Sequence, residues 1–382
     1  MGAVRHLYLH LPFCAHRCGY CDFVTVVGRS EQHRAYVDAL LAELASERSL
    51  LAEPLETVFL GGGTPTFTEP RELARLLAAL PAAGEVTVEA NPETVTPALA
   101  RLLRAGGVTR LSLGAQSFQP HLLTVLERRA GPDDVRRAVY LLRDAGFDNI
   151  SLDLLYGIPG QSAADLEGDL AAALALEPEH LSCYELEAKP GTRFTHAYGE
   201  ELARQSEALE GHFERVVEVL TSAGYRWYET ASFCLEPARA GGRDLRARHN
   251  LAYWRGRDYL GLGIGAVSTI DGVRRRNTRR LGSYLASLRA GGPPPRELEW
   301  LDGPIRLRER LMLGLRLDEP LPLSDVAGAL DRSAAERLAA RGLVQLGGAG
   351  AGAGGAGTIA LTRRGRFLGG GVTAELLALA PS

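Results

Sequence analysis

Lysine is all but absent from this chain: among its 43 basic residues, only Lys189 is not arginine. One lysine leaves little scope for Schiff-base chemistry or a lysine-dependent phosphate loop. Arginine, alanine and glycine are heavily used throughout, so an arginine cluster here is not by itself a binding patch. Charge of one sign is also lacking. The net charge is −3, which gives no global pull toward nucleic acid or an anionic membrane. No apolar run approaches the roughly 18 to 20 residues of a membrane-spanning helix. The start, Met1-Gly2-Ala3-Val4-Arg5-His6, enters a strand-like segment without the apolar stretch of a secretory signal. A cytoplasmic location is expected. Cysteine is scarce, with five in 382 residues: Cys14, Cys18, Cys21, Cys183 and Cys234. An odd count in a large chain of this kind argues against a disulfide framework and for metal binding or reactivity.

What is present is ample apolar material, 46% of residues, enough for a sizeable core. The length fits a main domain with one or two smaller ones. Through about residue 230, short apolar runs alternate with longer helical patterns. Runs at 6–11, 57–60, 86–90, 110–115, 149–156 and 180–186 read as strands buried on both faces. Helical patterns lie at 31–51, 69–80, 96–105, 132–145, 162–176 and 201–223. Six consecutive βα units imply a parallel sheet, either doubly wound or curled into an incomplete barrel. The rhythm breaks over 225–300, which holds His249-Asn250-Leu251-Ala252-Tyr253-Trp254 and the linker signal Pro293-Pro294-Pro295. Beyond it, helices near 305–315, 322–328 and 333–341 precede a strand pair at 343–346 and 358–361. The Gly/Ala run 347–357 between them reads as a flexible hairpin tip. Helices followed by a two-stranded wing predict a small winged-helix-like domain. Residues 305–382 carry ten arginines against seven acidic residues, a net +3. That is weak support for a basic recognition face, so nucleic acid is not the expected partner. The expected boundaries are 1–230, 231–300 and 301–382.

Three features carry chemistry. Cys14-x3-Cys18-x2-Cys21 follows the first strand, and thiolates at such short spacing converge on one soft metal centre. A cubane usually takes four thiolates. Three leave one iron open to a small chelating ligand such as S-adenosylmethionine (SAM), whose S–C5′ bond an electron from the cluster can cleave. Zinc with His10 or His16 as fourth ligand is the alternative. Gly61-Gly62-Gly63-Thr64-Pro65 follows the second strand, where the glycines let main-chain groups approach a ligand. Glu89-Ala90-Asn91-Pro92, Gln116-Ser117-Phe118 and Asp153 lie at or near C-terminal strand ends, which form one mouth in a barrel.

Taken together, Tyr8 to Cys14, Cys21-Asp22-Phe23, Gly61 to Pro65, Glu89 to Pro92, Leu113 to Phe118 and Ser151 to Gly160 resemble the radical SAM superfamily. More narrowly, the chain resembles the family related to oxygen-independent coproporphyrinogen III oxidase, through Pro190-Gly191-Thr192 and 249–254 into the C-terminal domain. The resemblance implies a partial (β/α)6 barrel and a 4Fe–4S cluster on Cys14, Cys18 and Cys21. It also implies SAM contacts from Tyr8, Tyr20, Gly62, Gly63, Thr64, Glu89, Gln116, Arg128 and Asp153.

Within that family the choice lies between the decarboxylating oxidase and a haem-chaperone branch. Phe23 stands where the oxidase typically has a further cysteine, and the first strand begins without the oxidase's N-terminal arm. The motif 249–254 resembles the chaperone branch, where it is associated with haem binding. His249, Asn250, Tyr253 and Trp254 are therefore haem-binding candidates, with His249 the first candidate axial ligand. Arg246, Arg248, Arg255 and Arg257 flank the motif and suit propionates. The expected function is to bind cluster, SAM and haem and to pass haem to acceptor proteins, respiratory ones among them, with an electron donor serving the cluster. The alternative is an oxidoreductase acting on a porphyrinogen. Departures from the family pattern are Ala130 and Val267, both at histidine positions, and Ser232 at an asparagine position.

Overall fold

The apolar runs become strands because each can be covered on both faces by the helices that separate them. The computed structural model describes residues 3–187, 189, 192–348 and 357–377. Its central strands are β1 (His6–Leu11), β2 (Leu55–Gly62), β3 (Ala83–Ala90), β4 (Arg110–Gln116), β5 (Ile150–Tyr156) and β6 (His180–Glu185). They lie side by side in chain order and all run parallel. Between and after them lie α1 (His33–Glu47), α2 (Pro70–Ala79), α3 (Pro97–Ala105), α4 (Pro120–Val125), α5 (Pro132–Asp144), α6 (Ala163–Leu174) and α7 (Arg193–Ser222). Proline opens α2, α3, α4 and α5, where its fixed φ fits and no N–H is needed. In α6, Ser162 and Asp165 cap each other's backbone N–H.

The sheet extends beyond these six strands. β7 (Tyr225–Trp227) pairs antiparallel with β8 (Ser232–Leu235), which pairs antiparallel with β6, while β9 (Leu260–Leu262) adds parallel to β1. The nine-strand order is β9-β1-β2-β3-β4-β5-β6-β8-β7. This is the α/β architecture of a partial barrel, with no pairing between its two ends. The stretch 231–300, expected as an extension of its own, thus supplies a strand near one edge and the strand at the other. Those two strands are only four and three residues long and carry no period by which sequence could place them.

The rest of that stretch forms α8 (Arg248–Trp254), α9 (Leu281–Arg289) and an antiparallel sheet of β10 (Val267–Ile270), β11 (Val273–Asn277) and β12 (Arg296–Trp300). Glu43 on α1 ties it down. This fully buried carboxylate accepts from Gly263 N at 2.9 Å, Asn277 Nδ2 at 2.7 Å, the Tyr284 hydroxyl at 2.7 Å and Arg296 Nη2 at 3.1 Å.

The C-terminal unit contains α10 (Gly303–Gly314), β13 (Leu321–Pro322), α11 (Arg332–Ala340), β14 (Val344–Gly347), β15 (Thr358–Leu361), α12 (Arg363–Phe367) and α13 (Gly369–Leu376). Leu311, Val326, Leu338, Ile359 and Leu376 form its own core. The antiparallel pair β14 and β15 is the expected wing; its tip, 349–356, lies outside the described residues, as do Pro190 and Gly191. The helix expected at 322–328 is instead the strand β13 and a single 3-10 turn, Leu323–Asp325. Pro320 and Pro322 favour extended chain there, and an edge strand tolerates the missing N–H. The unit docks through Arg366, which donates to Trp227 O at 2.8 Å with its guanidinium 3.5 Å over the indole ring. Among the described residues, no helix is long and apolar enough to cross a membrane.

Candidate functional site

At the C-terminal end of β1 the chain turns through the three cysteines. Phe13–Cys14 pairs with Val26–Val27 in a two-residue parallel ladder, so the cysteine loop is pinned at both ends. Cys14 is buried, while Cys18 and Cys21 are half-buried. The glycine loop after β2 is clamped alongside, with Gly63 N bonded to Leu11 O at 2.8 Å and Thr64 N to Phe13 O at 2.9 Å. Cys14, Cys18 and Cys21 line a cavity of about 420 Å³ together with Tyr20, Gly62, Gly63, Thr64, Glu89, Gln116, Arg128 and Asp153. Eight of the nine SAM candidates therefore share one cavity with the cysteines.

The ninth, Tyr8, does not line it. Its hydroxyl bonds to His10 Nδ1 at 3.0 Å, and its ring stacks on Phe59. His10 uses its other nitrogen on Val24 O at 2.8 Å, so both ring nitrogens are engaged and neither is free for zinc. Among the described residues no three His, Cys, Asp or Glu converge as on a single metal ion. Three thiolates that each hold a different iron of a cubane have no need to.

The cavity is both polar and tight. A Cβ at Gly63 would lie 2.5 Å from Pro12 O and 2.9 Å from Cys14 Sγ. This glycine is therefore required by the cysteine segment itself, as well as making room for a ligand. Gly62 has φ +115°, and its N–H donates to Glu89 Oε2 at 3.1 Å. Gln116 holds φ +65°, beside a register shift between Gly114 and Gln116. A left-handed non-glycine residue is uncommon and clusters at functional sites. Arg128 donates through Nη2 to Asn91 Oδ1 at 2.9 Å and Gly114 O at 2.7 Å, and through Nη1 to Cys18 Sγ at 3.7 Å. Asp153 accepts from Ser112 Oγ at 3.1 Å.

Burial, then repulsion from Asp153, pushes the Glu89 carboxyl up to about 7. Burial likewise raises Asp153. Burial raises Cys14 to about 11 against a hydrogen bond with Thr64, and raises Cys21 as well. Two partly buried carboxyls and three thiols, one buried and two half-buried, gather ionisable acids whose negative charge a metal and a cationic ligand would compensate. Asn91 and Ser112 also line this cavity and were missed as contacts. Asn91 follows the end of β3, within the strand-end segment the sequence singles out, whereas Ser112 lies inside β4 opposite Glu89 and carries no such signal.

The motif 249–254 is α8, and its parts face different ways. Glu85 accepts from the backbone N–H groups of Arg248 and His249 at the helix start, at 3.2 and 3.3 Å. A carboxylate suits that end of a helix. His249 is buried with both ring nitrogens engaged: Nδ1 with Thr57 Oγ1 at 2.7 Å and Nε2 with the Tyr253 hydroxyl at 2.9 Å. Burial depresses it to about 3. The histidine expected to ligate is thus a core residue, stacked on Phe59 and presented to neither cavity. Asn250 lines neither cavity either. Tyr253 and Trp254 line a second cavity, of about 840 Å³, between this segment and α10. Of the flanking arginines, Arg246 pairs with Asp244 and Glu319, and Arg255 pairs with Glu319. Arg257 lines the second cavity.

Comparisons with known proteins agree with the fold. The radical SAM superfamily model matches residues 8–173, and the HemN C-terminal domain model matches 301–368. The heme chaperone HemW of Mycobacterium tuberculosis is 36% identical over 97% of this chain and 94% of its own length. That of Bacillus subtilis is 32% identical over 98% of this chain and 99% of its own. Among solved structures, the coproporphyrinogen III oxidase HemN from Escherichia coli superposes with TM-score 0.76 at 22% identity, covering 98% of this chain and 90% of that one.

Proposed function

The chain belongs to the radical SAM superfamily and, within it, to the family of the heme chaperones HemW, and on that premise we propose that it binds haem and hands it to acceptor proteins. Membership implies a 4Fe–4S cluster and SAM. When bound, that pair supplies one-electron chemistry. Cys14, Cys18 and Cys21 would hold the cluster, and Arg128 beside Cys18 offsets thiolate charge. The main chain of Gly62 and Gly63, with Thr64, would border SAM. Glu89 and Asp153 would compensate its positive charge. The acceptors are haem-dependent proteins, and an electron donor serves the cluster.

The observation that carries the haem reading is full-length likeness to the haem chaperones. The second cavity supports it. Its volume of about 840 Å³ falls in the range of small-molecule sites. Arg257 and Arg306 line it and make no ion pair among the described residues, and arginine forks suit the two propionates of haem, while Arg274 and Arg310 are held by Glu299, Glu309 and Asp325. The test is anaerobic reconstitution with iron and sulfide, followed by haemin titration read by absorbance. We expect about four irons and four sulfides per chain, one haemin bound, and haem transfer to an apo-cytochrome. Failure to bind haemin, or turnover of coproporphyrinogen III under reducing conditions, would overturn the reading.

A further inference from the structure

Strand alternation and register set polar side chains in rows on the inner face of the sheet. Arg110 on β4 lies opposite Thr87 on β3, and Glu85 and Glu89 share the face of Thr87, one step toward either end of the strand. Asp153 joins them from β5, where it accepts from Ser112 Oγ at 3.1 Å. His180 joins them from β6, bonded to Ser151 Oγ at 2.8 Å. Arginine is almost never fully buried unless paired. Arg110 is only 2% exposed, forms no ion pair among the described residues, and has its Nε buried without a hydrogen-bond partner. A guanidinium keeps its proton in proteins. Arg110 is thus a permanent charge inside the sheet, and in a low-dielectric interior its field reaches groups beyond contact distance.

Three carboxyls stand in that field. Burial raises Glu85 and Asp153, and Arg110 is the strongest opposing influence on each. Burial and then Asp153 raise Glu89, against the Gly62 N–H and Arg110. Glu85 is held by the N–H groups of Arg248 and His249. Glu89 and Asp153 instead line the cavity of the cysteines, and Arg110, the first residue of β4, does not. The carboxyls therefore stand between Arg110 and any ligand there. Resting on the reading that Glu89 and Asp153 compensate the charge of SAM, we propose that Arg110 is a positioning residue for SAM: its fixed charge favours the ionised forms of these two carboxyls, which then receive the cationic ligand. The other ionisable groups around the pair do not titrate between about pH 6 and 9. Burial raises Tyr8, Tyr184, Tyr253 and Cys183. Burial, reinforced by Arg110, lowers His180, whose second ring nitrogen is 2.7 Å from the Tyr228 hydroxyl; burial raises Tyr228 in turn.

The experiment is equilibrium dialysis of labelled SAM against the anaerobically reconstituted full chain, stepped from about pH 6 to 9, with iron counts and a thermal melt of each variant. Wild-type affinity should rise with pH to a plateau, with its midpoint near the Glu89 value of about 7. Arg110→Gln should move that midpoint up by roughly one pH unit, weakening SAM roughly fivefold at neutral pH while the curves converge on the alkaline side. Arg110→Lys keeps a cation and should keep the wild-type midpoint. Arg110→Gln combined with Glu85→Gln should show the same upward shift, and it folds without leaving Glu85 as an uncompensated buried charge. A midpoint that stays in place, with affinity lost by one factor at every pH, would make Arg110 a packing residue and overturn the proposal. A midpoint that moves equally in Arg110→Lys would overturn it as well. Wild type that binds no SAM at any pH would overturn the reading of the cavity itself.

Discussion

Replacing Glu89 with glutamine should make the cluster-free protein more stable at alkaline pH. Glu89 is held in the cavity with one oxygen on Gly62 N–H, and its carboxyl rises from 4.5 to about 7. At 1.36 kcal/mol per pH unit, that rise is worth roughly 3 kcal/mol. The folded state holds this proton more tightly than the unfolded chain does. The contribution is therefore fully present below the unfolded value, 4.5, and is lost as pH rises through about 7. Roughly 2–3 kcal/mol of it should disappear between pH 5 and 8.5. Glutamine keeps an oxygen for Gly62 N–H and cannot ionise, so Glu89→Gln should lack this loss. Urea denaturation of both proteins across that range gives the difference directly, and groups common to both cancel. Asp153 is coupled to Glu89, so the wild-type curve reports the pair rather than one residue. A cationic ligand should reverse the effect: SAM should bind more tightly as pH rises through 7, with proton release. Parallel stability curves for wild type and Glu89→Gln would refute this account of the cavity.

Cys14→Ala, Cys18→Ala and Cys21→Ala should each abolish iron–sulfur absorbance after anaerobic reconstitution, while Cys183→Ala and Cys234→Ala should retain it. Gly63→Val should block cluster assembly as well as weakening SAM, because its side chain would meet Pro12 O and Cys14 Sγ; iron and sulfide counts will read this. The overpacking should also cost roughly 1–3 kcal/mol in denaturant unfolding. Glu43→Ala should cost about 3–5 kcal/mol, since it leaves Arg296 and three further donors without their common acceptor; urea unfolding measures it.

The parts legible in the sequence were those with a period or a spacing. Strands β1 to β6 stand out because apolar runs buried on both faces cannot be mistaken for surface. The cysteine loop is legible from its offsets alone. The company it keeps follows from topology, since a parallel sheet brings Thr64, Glu89, Gln116 and Asp153 to one rim. Other features carry no such signal. α4 spans only six residues, and α7 begins at Arg193, well before the expected start, because Thr192 caps it through Thr195 N. Glu43 reads as an ordinary surface acid on an amphipathic helix, and only its four distant partners reveal it as a core group. The motif 249–254 named the right segment but not the direction of each side chain. On a single helical turn His249 and Tyr253 touch each other, yet only Tyr253 reaches a cavity. Tyr8 fails similarly: strand alternation says that it faces away from Leu9, not that His10 takes its hydroxyl.

The pairing of β1 with β9 has a consequence for how the molecule is made. Leu7 waits for Leu260 before its outer neighbour exists. At a synthesis rate of about 5–20 residues per second, that wait is roughly 10 to 50 seconds. Throughout it β1 has one row of amide groups unpaired, and the cysteine loop hangs from its far end. Unpaired strand edges of this kind invite wrong partners. A nascent chain stalled before residue 260 should therefore bind holdase chaperones, and one stalled past 300 should release them.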